Sequence, residues 1–206
     1  MSKRGFFVIL SGPSGIGKGT VAARIREMFP EIVTSISATT RSIRPGEEEG
    51  VHYFFKTQEE FDRMIADGEI LEYATIYGNR YGTPRAFAEK MLDEGKIILL
   101  DIETVGAENI CRQYPDAVSI YLLPPTMEAL YERLLNRKRE SKEEVDARFA
   151  QARDELLRAP FYRYRVVNDD LDVCVRQVAS IVETALIQWK DDPSFIEKLR
   201  KEVVVL

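Results

Sequence analysis

The spacing of apolar and polar positions changes period several times along this chain. Gly5-Phe6-Phe7-Val8-Ile9-Leu10 is a short apolar run, the pattern of a strand buried on both faces. Val21 to Phe29 then has helical spacing and good helix formers, and Pro30 stops it. The same alternation recurs downstream. Strands are predicted near 32–36, 97–101, 117–123 and 164–167, with helices through Cys111, from Thr126 to Asn136, to about Arg158 and from Asp169-Asp170 to about Lys190. Strands alternating with helices predict an α/β fold around a parallel sheet. Residues 37–94 break this rhythm. Val51 to Phe55 reads as a strand, and Thr57-Gln58-Glu59-Glu60 is a capping box opening a helix through Ala66. In 69–76 the side chains alternate, with Ile70, Glu72, Ala74 and Ile76 on one side and Leu71, Tyr73 and Thr75 on the other. Gly78 to Thr83 continues as a turn and short strand, and Pro84 starts a helix to about Asp93. This segment predicts a small mixed sheet with helices, inserted between core elements.

Between the first strand and the first helix lies Gly12-Pro13-Ser14-Gly15-Ile16-Gly17-Lys18-Gly19-Thr20. Strand, glycine-rich loop and helix in that order is the context of a phosphate-binding P-loop. The glycines let backbone N–H groups converge on an anion, the helix N-terminus adds partial positive charge, and Lys18 adds a full one. Gly19 stands where the general pattern places a Mg²⁺-binding Ser or Thr; Thr20 follows one place later.

Other positions carry chemistry only in combination. The loop Ser37 to Gly46 holds Arg41 and Arg44, either a solvated basic loop or a clamp whose guanidinium forks match phosphate oxygens. The run Ile97-Ile98-Leu99-Leu100 ends in Asp101, a Walker-B-like position at the edge where open α/β sheets bind ligands. Glu103 points to the same side if the chain stays extended, whereas the plainer alternative is that Asp101 or Thr104 caps the next helix. The basic break Arg137-Lys138-Arg139-Glu140-Ser141, a capping box of Ser141 with Glu144, and a charged helix bearing Arg148 and Arg153 read equally as a mobile flap or a solvated hairpin. After Pro193, Phe195, Leu199 and Val203 form a thin apolar stripe that packs on the core or on another subunit, so self-association is left open.

Composition narrows the class. A length of 206 residues suits one domain or one core with insertions. The net charge of −5 argues against general nucleic-acid binding, while local basic clusters can still grip phosphates. No stretch approaches the ~20 apolar residues of a membrane span, and the short apolar run after Lys3-Arg4 lacks a signal-peptide cleavage site. Cys111 and Cys174 are isolated, which points to the reducing cytoplasm, and the lone His52 has no metal-ligating neighbours and reads as a turn residue.

The segments GPSGIGKGT, SATTRSIRPGE followed by GVHYFF, ILEYA, NRYGTP, ILLDIE and VVNDDL, in this order, resemble guanylate kinase of the nucleoside monophosphate kinase group, over nearly the whole chain to about Lys190. The resemblance implies a P-loop core over 1–36, 95–125 and 156–206, a mixed α+β GMP-binding subdomain over 37–94 and a helical lid over 126–155. It implies that Gly12, Pro13, Ser14, Gly15, Ile16, Gly17, Lys18, Gly19 and Thr20 hold the ATP phosphates, with Asn168 near the adenine. Arg41, Arg44, Tyr53 and Tyr81 would grip the GMP phosphate. Ser37, Glu72 and Thr83 would read guanine, helped by Asp101 and Glu103, the latter standing where the family commonly has Asp. Arg137 and Arg148 would come from the lid, and Mg²⁺ would be held by Thr20, Asp101, waters and the phosphates.

The expected reaction is ATP plus GMP (or dGMP) to ADP plus GDP (or dGDP). Guanine presents N1–H and an exocyclic N2–H₂ side by side, and a carboxylate such as Glu72 accepts from both; adenine would leave it unpaired. A Ser37 or Thr83 hydroxyl can donate to O6. The GMP phosphate is the nucleophile and is largely dianionic at neutral pH, its second pKa being near ~6, so alignment and charge neutralisation replace a general base. An adenylate or sugar-phosphate kinase is the first rival, disfavoured by Glu72 with Ser37 and Thr83. A non-catalytic guanylate-kinase-like binding module is the second, disfavoured by the presence together of Lys18, Arg41, Arg44 and Asp101.

Overall fold

The computed structural model describes residues 3–76, 78–136, 142–190, 194, 197 and 199–201. Along the chain run β1 (Phe7–Ser11), α1 (Lys18–Met28), β2 (Ile32–Thr34), β3 (Ala38–Thr39), β4 (Phe54–Phe55), α2 (Gln58–Ala66), β5 (Ile70–Ile76), β6 (Asn79–Pro84) and α3 (Arg85–Asp93). There follow β7 (Ile97–Asp101), α4 (Thr104–Gln113), β8 (Val118–Leu123), α5 (Met127–Leu135), α6 (Lys142–Leu156), a 3₁₀ turn (Ala159–Phe161), β9 (Tyr164–Val167) and α7 (Leu171–Lys190).

Five strands form a parallel sheet in the order β2-β7-β1-β8-β9, and four form a second, mixed sheet in the order β4-β3-β6-β5. The period-two alternation of β1 divides its side chains between two cores. Val8 and Leu10 join Leu99, Ile120 and Leu122 beneath α1 and α7, whereas Phe7 and Ile9 join Ile98, Leu100 and Tyr121 beneath α3 and α4. Both faces are covered, which explains the unbroken apolar run. The second sheet has its own small core of Ala38, Phe61 and Ile70.

The capping box forms as the sequence predicts: Glu60 N–H donates to Thr57 Oγ1 (3.1 Å), and Thr57 N–H donates to Glu60 Oε2 (2.7 Å). His52 sits in a turn, its Nδ1 accepting from Glu48 N–H at 3.0 Å. Three expectations need correction. Helix α1 begins at Lys18 rather than Val21, because Gly17 in the left-handed region (φ 95°) ends the loop and turns the chain directly into the helix. Strand β5 does not alternate cleanly. A register shift between Ile70 and Tyr73 buries Ile70, Leu71 and Glu72 in succession, with Leu71 packing into the main core and Ile70 into the small one. The cap of α4 is neither Asp101 nor Thr104. Glu103 occupies the cap position, in extended conformation and without a capping side-chain bond.

The Ser141 capping box, Arg137, Phe195 and Val203 lie outside the described residues; Leu199 is exposed. Among the described residues no helix is long and apolar enough to cross a membrane.

Candidate active site

Strand pairing puts the phosphate loop beside Asp101. Leu10 on β1 is in register with Asp101 on β7, and two residues further on Gly12 opens the loop. Gly12, Gly15 and Gly17 all have positive φ (148°, 84° and 95°), and Ile16 between them is buried in the core as the loop's anchor. Asn168, past the end of β9, fastens the loop from behind: its buried Nδ2 donates to Ile16 O at 2.7 Å. That contact also explains why Gly17 needs no side chain, since a Cβ there would lie 3.0 Å from Asn168 Nδ2.

Lys18 leaves α1 and turns back over the loop, its Nζ 2.8 Å from Gly12 O and 3.5 Å from Glu103 Oε1. Asp101 faces the same turn, with Oδ2 3.5 Å from where a Cβ on Gly19 would stand. Crowding by the surrounding protein raises the pKa of Asp101, with Lys18 opposing and Glu103 reinforcing the shift. Helix α6 reaches the loop from the other side. Arg148 Nη2 donates to Ser14 Oγ at 2.6 Å, and Ser14 N–H donates to the buried Glu155 at 3.3 Å. Gln151 Nε2 holds the other carboxylate oxygen of Glu155 at 2.7 Å, and Tyr121 O–H donates to its backbone carbonyl at 2.8 Å. Nothing in the sequence marks Glu155, one of many charged residues on a charged helix.

A second group of side chains lies on the mixed sheet and its loops. Arg41 makes a two-pronged pair with Glu47 (2.7 and 3.0 Å), and its guanidinium lies 5.4 Å from the Tyr53 ring centroid. The Glu47 partner raises the pKa of Arg41, and Arg41 lowers that of Glu47. Tyr53 and Tyr81 stack edge to face at 6.0 Å. Arg44 is exposed on the same loop, and its N–H donates to Glu47 (2.8 Å). Ser37 lies just before β3.

Glu72 is 7% exposed on β5 and accepts from Thr83 O–H on β6 at 2.7 Å. Burial pushes its pKa up to about 6, opposed by the Thr83 hydrogen bond and reinforced by the charge of Glu103. Glu103 pairs with Lys18 and its charge also acts on Glu72, so it links the phosphate loop electrostatically to the buried carboxylate. Among the described residues, Lys18, Asp101, Glu103, Ser14, Arg148 and Asn168 gather at the loop, while Arg41, Tyr53 and Tyr81, and separately Glu72 and Thr83, lie on the mixed sheet and its loops.

A family model described as guanylate kinase matches residues 4–185. The chain belongs to the guanylate kinase family. It is 45% identical over 179 residues to a guanylate kinase of Symbiobacterium thermophilum, covering 87% of this chain and 85% of that one. It is 41% identical over 204 residues to a guanylate kinase of Caldanaerobacter subterraneus subsp. tengcongensis, covering 99% of each. The crystal structure of guanylate kinase from Anaplasma phagocytophilum superposes with a TM-score of 0.67 at 35% identity, covering 88% of this chain and 86% of that one. Family membership matches the arrangement just described: a parallel sheet carrying the phosphate loop, and a separate mixed sheet carrying the buried carboxylate.

A guanylate kinase works with Mg²⁺ and ATP, and the donors here fit that ion. Among the described residues no group of three or more His, Cys, Asp or Glu forms a metal cage. Mg²⁺ needs none, because it keeps waters and is bound through one or two carboxylates plus substrate phosphates. Asp101 faces the first turn of α1, where Thr20 is exposed, and offers one carboxylate there.

Proposed function

We propose that this guanylate kinase transfers the γ-phosphoryl group of ATP in line to GMP, and also to dGMP, with each cluster holding one substrate. The observation that carries this reading is Glu72: a buried carboxylate kept as an acceptor by the Thr83 hydroxyl, on a sheet separate from the phosphate loop. Such a group matches the paired N1–H and N2–H₂ of guanine and leaves adenine unmatched. Because Thr83 donates its proton to Glu72, the donor for guanine O6 falls to Ser37. Arg41, held in orientation by Glu47, acts with Arg44, Tyr53 and Tyr81 on the GMP phosphate.

On the donor side, the backbone N–H groups of Gly12 and of Ser14 to Thr20 take the ATP phosphates, Pro13 having none, and Lys18 moves from Gly12 O onto the transferring group. Asn168 serves ATP by fixing the loop through Ile16. Arg148 and Arg137 add positive charge from 126–155, which acts as a lid on a core of 1–36, 95–125 and 156–206, with 37–94 as the acceptor subdomain. Thr20 and Asp101 hold Mg²⁺, directly or through water, and the ion supplies charge neutralisation on the phosphates. The acceptor phosphate is its own nucleophile, so the protein aligns and neutralises rather than abstracts a proton.

A coupled ADP-release assay across GMP, dGMP, AMP, UMP and CMP tests the reading. Turnover with GMP and dGMP at least a hundredfold above the others, in kcat/KM, is expected. Comparable turnover with AMP would refute guanine selection by Glu72.

A further inference from the structure

Helix α4 carries a glycine that its backbone does not require. Gly106 lies in the first turn of Thr104–Gln113, is buried, and is absent from the glycines with positive φ. An alanine would satisfy the same backbone and form a better helix. What it would not satisfy is Glu72. A Cβ built on Gly106 would stand 2.5 Å from Glu72 Oε2, 3.2 Å from Cδ and 3.3 Å from Cβ, and these are its three nearest neighbours. The other carboxylate oxygen is already held by Thr83 O–H at 2.7 Å. A carboxylate gripped on one oxygen and crowded on the other has to swing away from both.

We propose that Gly106 is a positioning residue for base specificity: its missing side chain is the space in which the Glu72 carboxylate is held. The proposal rests on the assignment of Glu72 as the guanine reader. The severe clash is with the far end of a flexible side chain, and the 3.3 Å contact with Glu72 Cβ asks for a shift of only a few tenths of an ångström, so the fold can absorb both by moving Glu72. Guanine recognition cannot, because N1–H and N2–H₂ need both carboxylate oxygens in one plane at hydrogen-bonding distance. Loss of specificity without loss of fold is therefore the signature. Gly82 makes the contrast. A Cβ there would meet the backbone O of Glu72 at 2.8 Å and the core ring of Phe61 at 3.1 Å, so its substitution strikes the fold itself.

The test is steady-state kinetics of Gly106→Ala with GMP, with inosine monophosphate (the same base without its N2 amine) and with ATP, beside a thermal melt. Expected are a KM for GMP raised about tenfold or more, a KM for ATP within about twofold, and a GMP-over-inosine preference reduced about fivefold. The melting temperature should be equal or higher. Adding Glu72→Asp, which withdraws the carboxylate by one methylene, should recover part of the GMP affinity lost by Gly106→Ala. Glu72→Gln separates the two assignments. If it raises the GMP KM while Gly106→Ala does not, the positioning role is wrong and the guanine reader stands. If Glu72→Gln leaves GMP kinetics unchanged, both fall. A parallel rise in both substrate KM values with a lowered melting temperature overturns the proposal in favour of a packing role. Should Gly106→Ala not fold, rescue of folding by Glu72→Asp supports the contact, and failure of rescue overturns it.

Discussion

On the proposed reading, the donor loop and the acceptor pocket solve the same problem, gripping a nucleotide, with different parts of the chain. The loop is nine consecutive residues whose N–H groups are aimed by glycine conformations, with Ile16 and Asn168 as fasteners. The pocket is assembled from side chains on the 41–47 loop, β5, β6 and the start of α4, held by Glu47, Thr83 and the void at Gly106. Backbone binding is indifferent to most side chains and recognises what all nucleoside triphosphates share. Side-chain binding reads the base and is correspondingly fragile. Single substitutions should therefore alter GMP handling selectively, and the exception on the donor side should be the one side chain that follows the moving charge.

That exception carries the largest expected effect. Lys18→Ala should lower kcat by about 10³-fold or more, because the lysine stabilises charge on the transferring phosphoryl group. Binding of both substrates should change far less, since the backbone cradle remains. Near-native thermal stability is expected, because among the described residues Nζ contacts only Gly12 O and Glu103. A coupled assay beside a thermal melt measures both. Retention of more than about a tenth of the turnover would break the division of labour drawn above.

The contrast also explains what the sequence disclosed. The loop was legible because its signal is local: glycines, lysine, strand and helix lie within a few residues, and Asp101 followed from an apolar run ending in a carboxylate. The helix cap at Thr57 was legible for the same reason. The pocket was legible only through resemblance, because no spacing rule links Glu72 with Thr83 and Gly106. Period-two alternation even misled there, since the register shift in β5 puts Leu71 and Glu72 both out of solvent. Glu155 and Gly106 were missed entirely. One is a carboxylate made special by the loop above it, and the other is a residue whose contribution is an empty volume.

Arg41 gives the second test, with an intermediate effect. Arg41→Ala removes a charge-assisted fork, so the KM for GMP should rise about 10- to 100-fold. The KM for ATP should stay within about twofold. Arg41→Lys keeps the charge and loses the fork, and should fall between wild type and alanine. Arg41→Ala also leaves the Glu47 carboxylate without its counter-charge, so its existing negative charge beside the phosphate is no longer neutralised. Equal rises in both KM values would mean that the two clusters are not energetically separate.

The smallest expected effect is a pH dependence of GMP binding set by Glu72. Burial raises the pKa of Glu72 to about 6 from 4.5. Reading guanine requires the ionised carboxylate, so the KM for GMP should double at about pH 6 relative to pH 8 and rise about tenfold by pH 5. The GMP phosphate titrates near ~6 as well, so the profile must be compared with that of Glu72→Gln, which retains only the phosphate contribution. The stability sign is separate. A carboxyl whose folded pKa is raised favours the folded state below about pH 4.5, and that contribution is lost as the pH rises through about 6. Glu72→Gln should therefore match wild-type stability below pH 4.5 and exceed it above pH 6 by about 1–2 kcal/mol, while Thr83 keeps an acceptor in the amide oxygen. Denaturant unfolding of the substrate-free protein at pH 4.5 and pH 8 measures the difference. An unchanged gap between the two pH values would show that Glu72 ionises normally and that the pocket leaves its carboxylate solvated.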